Sequence, residues 1–362
     1  MDKKKKALTM YVLAAFGFLA VIIVFVKMFE APVKERPKVG FLMQPFINSS
    51  NWSTTHYNGM KLAADQMGVE LLVKENVPDQ KEKVEEAIKE FIESGCQVVI
   101  LTNSTHAALG RKQIAENPNI TFYCSQTKLN YSNLYFYSGR FYEARYLAGM
   151  LAAMKSHTGR LGYVAAMPVG EVIRGINAYA LGAQSVRKDA IVDVYWTGDW
   201  VRDDEERRGV QVLVGRGADV LTLHQDRSTV NELASELGVY SIAYHETPPF
   251  ASPMVLANIR VQWGEIYQDV LRRAFKKPRQ RDVWRGVSED SVTCESFSKS
   301  VTSLEAERVR QARMAMLQGR KVFAGELVDT EGRVRCQQGE SLSDDSIRGN
   351  MNWFVKGVVT NL

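Results

Sequence analysis

Residues 69–101, VELLVKENVPDQKEKVEEAIKEFIESGCQVVIL, carry the pattern from which the fold is read. Val69–Val73 is an apolar run of strand length. Gln80–Ser94 sets Val84, Ala87, Ile88, Phe91 and Ile92 at the three- and four-residue spacing of one helix face, and Gly95 ends that helix. Gln97–Leu101 is a second apolar run. A strand, a helix of more than ten residues and another strand predict a right-handed βαβ unit, and so a parallel sheet with helices on its faces.

The same alternation extends in both directions. Upstream lie a strand at Val39–Met43 and a helix at Thr54–Met67 closed by Gly68; downstream come a helix at Ala107–Glu116 and a strand at Ile120–Cys124. It then restarts, with strands at Arg160–Ala165, Ile191–Trp196, Val220–Leu223 and Tyr240–Ala243. Helices at Phe141–Lys155, Ile173–Val186, Asp203–Gly215 and Thr229–Leu237 surround those strands. Two runs predict two α/β lobes. Beyond Pro253 the order loosens into a helix near Trp263–Phe275, a strand-like patch near Val283–Val292, a helix near Leu304–Gln318 and a hairpin near Val322–Arg335.

The N-terminus predicts the compartment. Lys3–Lys6 precede an uncharged apolar stretch, Leu8–Val26. Its length approaches the ~30 Å hydrocarbon core of a bilayer at a helical rise per residue, and the lysines favour a cytoplasmic start. Residues 1–28 are therefore expected to be a transmembrane anchor, with a cleaved export signal as the alternative, residues 29–37 a charged, proline-bearing linker and the rest exported. No cysteine follows the apolar run, so a lipid-bearing N-terminal cysteine is not expected.

The 362 residues carry a formal net charge of +5, part of it in that lysine run. No Lys/Arg stripe with interleaved aromatics marks a nucleic-acid surface. The four cysteines, Cys96, Cys124, Cys294 and Cys336, show no metal-site spacing. Cys96 and Cys124 read as buried thiols, and Cys294 with Cys336 is a pair open to a disulfide in an oxidising compartment. No phosphate-binding loop, dinucleotide glycine pattern or nucleophile elbow is present. His224 and His245 end neighbouring strands, but with no paired nucleophile the chain does not read as an enzyme; no cofactor or metal is expected.

Ligands of open α/β sheets bind beyond the carboxyl ends of the strands. The loop after the first strand contains Asn48, Ser49 and Trp52; the one after Trp196 contains Trp200. One aromatic from each lobe makes a clamp for a flat heterocycle. Asp226 follows Leu223, and Glu246 follows Ala243 as a carboxylate suited to ribose hydroxyls or ring N–H groups. Asn103, after Leu101, suits either helix capping or ligand contact.

Several stretches in order resemble the basic membrane protein family of ABC-transporter solute-binding proteins. They are Tyr137–Gly149 (YSGRFYEARYLAG), Gly162–Pro168 (GYVAAMP) with Glu171–Tyr179 (EVIRGINAY), Gly217–Val220 (GADV) and Trp353–Val358 (WFVKGV). The resemblance implies a two-lobed type I periplasmic-binding-protein fold, with residues 38–138 and 256–297 in one lobe and 139–255 and 298–362 in the other. It also implies a purine base or nucleoside stacked between Trp52 and Trp200, with Glu246 as the acid of the last second-lobe loop, and ABC permease subunits as partners. Three positions depart from the family pattern. Ser49, with Asn48 beside it, stands where the family has an aspartate; Val261, beside Arg260, stands where some members have a lysine; and the lipid-bearing cysteine is missing. The other function compatible with this fold is that of a membrane-anchored ligand sensor.

Overall fold

The computed structural model describes residues 9–10, 36–245, 252–277, 281–349 and 351–360. The expected anchor, Leu8–Val26, lies outside the described residues except for Thr9 and Met10. Among the described residues no helix is long and apolar enough to cross a membrane.

From Lys38 the first run is β1 (Lys38–Leu42), α1 (Asn51–Met67), β2 (Glu70–Lys74), α2 (Lys81–Glu93), β3 (Cys96–Leu101), α3 (Ser104–Leu109), α4 (Arg111–Glu116), β4 (Thr121–Ser125) and β5 (Leu134–Gly139). The second is α5 (Phe141–Lys155), β6 (Arg160–Ala165), α6 (Gly170–Val186), β7 (Ile191–Trp196), α7 (Asp203–Gly215), β8 (Val220–His224), α8 (Thr229–Glu236) and β9 (Tyr240–Tyr244). The remainder is β10 (Val255–Val261), α9 (Trp263–Lys276), β11 (Val283–Arg285), β12 (Val292–Glu295), α10 (Ser303–Leu317), β13 (Leu327–Val328), β14 (Val334–Cys336), α11 (Asp344–Gly349) and β15 (Val358–Val359).

These strands build two main sheets. The first has the order β11-β5-β4-β3-β1-β2 and is parallel throughout. The second has the order β12-β10-β9-β8-β6-β7-β15 and is parallel except where β12 runs against β10. Period-two alternation explains why the first sheet is covered on both faces. Val39, Phe41, Val98 and Ile100 join the core beneath α1, while Leu42, Val99 and Leu101 join the one beneath α2, with Val84, Ile88 and Phe91.

The structure corrects four expectations. The segment 256–297 does not stay with the first sheet: β10 and β12 pair in the second, and only β11 joins the first, beside β5, with α9 packed over it. Short apolar strands carry no mark of which sheet they will extend, so the pattern alone did not divide them. The helix expected over Ala107–Glu116 is two short ones, parted at Gly110, where a Cβ would meet the Ile88 side chain at 2.4 Å. The aromatic run Leu134–Gly139 is a strand that the reading above omitted. And α1 begins at Asn51 rather than Thr54, with Ser50 as its N-cap. All four cysteines are buried and free.

In the second lobe, α5 and α6 cross with their backbones in contact. A Cβ on Gly149 would lie 1.9 Å from the Tyr179 carbonyl oxygen, and one on Gly182 the same distance from that of Tyr146. A methyl group at either place forces the helices apart. Gly149→Ala is expected to destabilise the protein by about 1–3 kcal/mol, the usual cost of overpacking, measured as a lower urea midpoint.

Candidate functional site

The carboxyl end of β1 from the first sheet, and those of β8 and β9 from the second, lead into segments that touch one another. The backbone N–H of Asn51, in the first turn of α1, donates to the Asp226 carbonyl at 3.1 Å. Early helical N–H groups have no partner within their helix, so this donor is free to reach across. The Ser50 hydroxyl, which caps α1 by accepting from the Ser53 N–H, is near enough to the Asp226 carboxyl to favour its charged form. A second crossing joins Arg174 of α6 to the Gln126 side-chain oxygen beyond β4, at 3.1 Å.

Trp52 stands in the first turn of α1, half-buried, with its ring 3.8 Å from the His56 ring one turn later. It also meets Trp263 of α9 at 5.6 Å and, from the other lobe, His245 at 5.7 Å, both edge to face. His245 lies 3.8 Å from Tyr244, Tyr244 lies 4.9 Å from His224, and His224 lies 6.0 Å from Trp200. The two tryptophans thus end one unbroken series of ring contacts that crosses between the lobes. The Trp200 loop is held by Gln225, whose buried amide donates to the carbonyls of Asp199 and Trp200 at 3.0 and 2.9 Å and accepts from the Ala166 N–H. The Asp226 N–H adds a bond to the Trp200 carbonyl at 3.0 Å.

Other expected residues are placed differently. Asn48 and Ser49 are exposed, and Ser49 closes its own turn by donating from its hydroxyl to the Phe46 carbonyl at 2.7 Å. The Asn103 side chain accepts from the His106 N–H at 2.7 Å and so caps α3. Glu246 lies outside the described residues.

Several site residues escaped the sequence reading. Arg145 of α5 is fully buried; it donates to the Leu223 carbonyl at 2.8 Å and lies 4.1 Å over the Tyr244 ring. Among the described residues its Nε and Nη2 have no hydrogen-bond partner, and neither do either ring nitrogen of His245, His56 Nε2, Trp263 Nε1 and the Tyr244 hydroxyl. Glu171, in the first turn of α6, stands 3.7 Å from His224 Nε2. A lone arginine or histidine in a helical pattern looks like any solvated side chain. The one available clue was that Arg145 interrupts an otherwise apolar and small-residue stretch at Ala144–Ala153.

Burial decides the protonation of this cluster. His224 is pushed down to about 4 by burial first and by the Arg145 charge second, against the pull of Glu171. His245 is lowered by burial, by His224 and by Arg145, and His56 by burial and then His245. All three imidazoles are therefore neutral at pH 7, each offering one donor and one acceptor. Asp226 moves the other way, raised to about 7 by burial and by the Glu171 charge, with the Ser50 hydroxyl opposing. Among the described residues no group of three His, Cys, Asp or Glu is placed to hold a metal ion. What the site offers is flat apolar surface, neutral donors and acceptors, and two carboxyl groups, which suits reversible capture of a small polar solute.

A two-lobed α/β molecule with such a site between its strand ends is a solute-binding protein. The chain belongs to the Bmp family, the PnrA-like substrate-binding proteins of ABC transporters, whose model matches residues 36–319. As a member it binds a small molecule for permease partners and is not an enzyme. Over 91% of its length it is 28% identical to a purine-binding protein of Brucella abortus, covering 94% of that protein. Among solved structures, a transcriptional activator of the comK gene from Bacillus halodurans matches 78% of this chain and 98% of its own, with a TM-score of 0.68 at 20% identity. An ABC transporter solute-binding protein from Conexibacter woesei matches 78% and 97%, with a TM-score of 0.62 at 15% identity. These two likenesses bear on the fold alone.

A raised carboxyl makes a prediction with a definite sign. Between about pH 4 and 7 the folded state keeps a proton on Asp226 that the unfolded chain, near its ordinary value of 3.8, has released. Stability therefore falls as pH rises through that window. Asp226→Asn cannot ionise, so its thermal stability relative to wild type is expected to climb by roughly 1–3 kcal/mol from pH 4 to pH 7. A difference that stays flat with pH would contradict the assignment.

Proposed function

We propose that this protein captures a purine base or nucleoside between its lobes and presents it to an ABC permease, with Trp52 and Trp200 closing on the two sides of the base. The ring series crossing between the lobes carries this reading. It supplies aromatic faces from both halves, and only where the halves meet. The Brucella relative named as purine-binding supports it. Asp226, Glu171 and Glu246 are assigned to ligand N–H or ribose O–H groups, while Asn48 and Ser49 border the entrance. Asn103 is occupied as a helix cap, and we assign it no ligand contact. Because each lobe gains ligand contacts that the other lacks, ligand favours the closed arrangement, and that shift in population is what a permease can sense.

We assign Leu8–Val26 as the anchor that holds the domain on the extracytoplasmic face of the membrane. Intact-mass measurement of membrane-extracted protein is expected to show the N-terminal segment retained; a mature start near residue 30 refutes the tether.

The ligand assignment is tested by a thermal-shift screen of bases, nucleosides and sugars on the detergent-solubilised full chain, followed by titration calorimetry. Purines are expected to raise the melting midpoint. Trp52→Ala and Trp200→Ala are each expected to cost about 1–3 kcal/mol of binding, roughly 5- to 150-fold in affinity, with the far-ultraviolet spectrum unchanged. Stabilisation by sugars and not by purines would reject the purine reading and leave the binding role intact.

A further inference from the structure

His56 is 0% exposed, with its ring 3.8 Å from Trp52 on one side and 3.6 Å from Trp263 on the other. Its Nδ1 lies 2.5 Å from the Tyr267 hydroxyl, which is 3.2 Å from the Tyr137 hydroxyl, which in turn is 3.4 Å from the Leu101 carbonyl oxygen. A carbonyl can only accept, so Tyr137 gives it its proton. Tyr137 must then accept from Tyr267, whose own proton is thereby used. Tyr267 is left to accept from His56, which fixes the imidazole hydrogen on Nδ1. This is the one orientation of the chain that satisfies all three contacts.

A neutral imidazole has only one N–H, so Nε2 carries a bare lone pair. It has no partner in the protein among the described residues. Nδ1 is committed to the interior of the first lobe, and Nε2 is on the other side of the ring. His245 of the second lobe is near enough to depress His56 electrostatically, and it lies against the Trp52 ring that covers His56. His245 itself is 4% exposed, with both nitrogens unpartnered, and its backbone is held at φ 66°, a conformation that side chains other than glycine seldom adopt. Strain, burial and unspent hydrogen-bonding capacity on the facing lobe mark the same place.

We propose that His56 sets ligand specificity: its bare Nε2 accepts a hydrogen bond from an N–H or O–H on the edge of the bound solute. The solute must carry a donor at that edge. One presenting only a lone pair there sets acceptor against acceptor at a buried nitrogen, and is refused. Discrimination of this kind is steep, because rejecting the wrong solute requires only that a buried polar atom be left unpaired. The inference rests on the assignment of the interlobe crevice as the ligand site, and gives that site a required chemistry.

The test is titration calorimetry on the detergent-solubilised full chain with adenine, unsubstituted purine, which lacks the exocyclic N–H, and 9-methyladenine, which lacks the ring N–H. In wild type, one of the two deletions is expected to weaken binding at least tenfold. In His56→Phe, which keeps an aromatic ring in the stack and removes Nε2, adenine is expected to weaken by a similar factor and the discrimination to disappear. His56→Leu, which also lacks an acceptor, makes the same comparison should the phenylalanine variant fail to melt cooperatively. If the variants rank the three compounds as wild type does, His56 is not the reader, while the purine assignment survives. Where wild type binds no purine, the series is D-glucose and its monodeoxy analogues. Selectivity for one hydroxyl that vanishes in the His56 variants then upholds the inference without the purine assignment, and binding to neither series overturns both.

Discussion

The contact between the N-terminus of α1 and the loop after β8 is the constraint on which the rest of the site depends. Asn51 of the first lobe holds Asp226 of the second by donating its backbone N–H to the Asp226 carbonyl at 3.1 Å. That contact fixes the start of α1 against the loop after β8, and the Asp226 N–H ties the same loop to the Trp200 carbonyl, so Trp52 and the Trp200 loop are positioned through one residue. The donor is available for a reason set by helix geometry, since the first N–H groups of α1 have no carbonyl a turn earlier. The same helix start places Trp52 in its first turn and His56 in its second, so one N-cap, Ser50, positions both rings. The cap is reinforced by Ser53, whose hydroxyl donates to the Ile47 carbonyl at 2.8 Å.

Closing the lobes over polar groups has an energetic consequence. Water is stripped from three imidazoles, a guanidinium and a carboxyl group, and the cluster answers by shedding charge. The histidines lose their protons and Asp226 tends to keep its own. Arg145 cannot follow, because a guanidinium does not deprotonate in proteins. It is stabilised instead by the Leu223 carbonyl and by the faces of Tyr244 and Tyr163, at 4.1 and 5.3 Å. Its fixed charge is then a cause of the neutral state of His224 and His245. Arg145 thus acts on the site through its neighbours: a positioning residue, packed behind the wall that a solute would touch.

Much of the architecture was legible because it depends on period. The alternation of apolar strands with amphipathic helices, such as Val84 to Phe91 on α2, is a local property, and it called for two parallel sheets. Trp52 and Trp200 were legible because large aromatics just past strand ends are few and conspicuous. The division of residues 256–297 between two sheets was not, since β10 and β12 are short apolar runs whose partners are chosen by tertiary geometry. His56, Arg145 and Glu171 were hidden for a related reason. Each matters through something distant in the chain: Tyr267 for His56, Leu223 for Arg145, His224 for Glu171. Ser49 and Asn103 stood at promising places, and their side chains were taken by local needs, a turn and a cap.

That last contrast bears on what kind of solute the crevice can hold. The flexible hydroxyls and amides of Ser49 and Asn103 are spent locally. Most of the unpartnered polar atoms are on rings, held by stacking and, in His56, by a hydrogen bond on the inner nitrogen. Held rings offer donors and acceptors in fixed directions, and they cannot rearrange to suit a flexible chain. A rigid planar solute loses little entropy on entering such a site and can meet several fixed directions at once. Nor does the cluster favour an anion, because two carboxyl groups, Glu171 and Asp226, stand among the neutral histidines. Shape and charge together point to a flat, uncharged solute that carries hydrogen-bond donors at its edge.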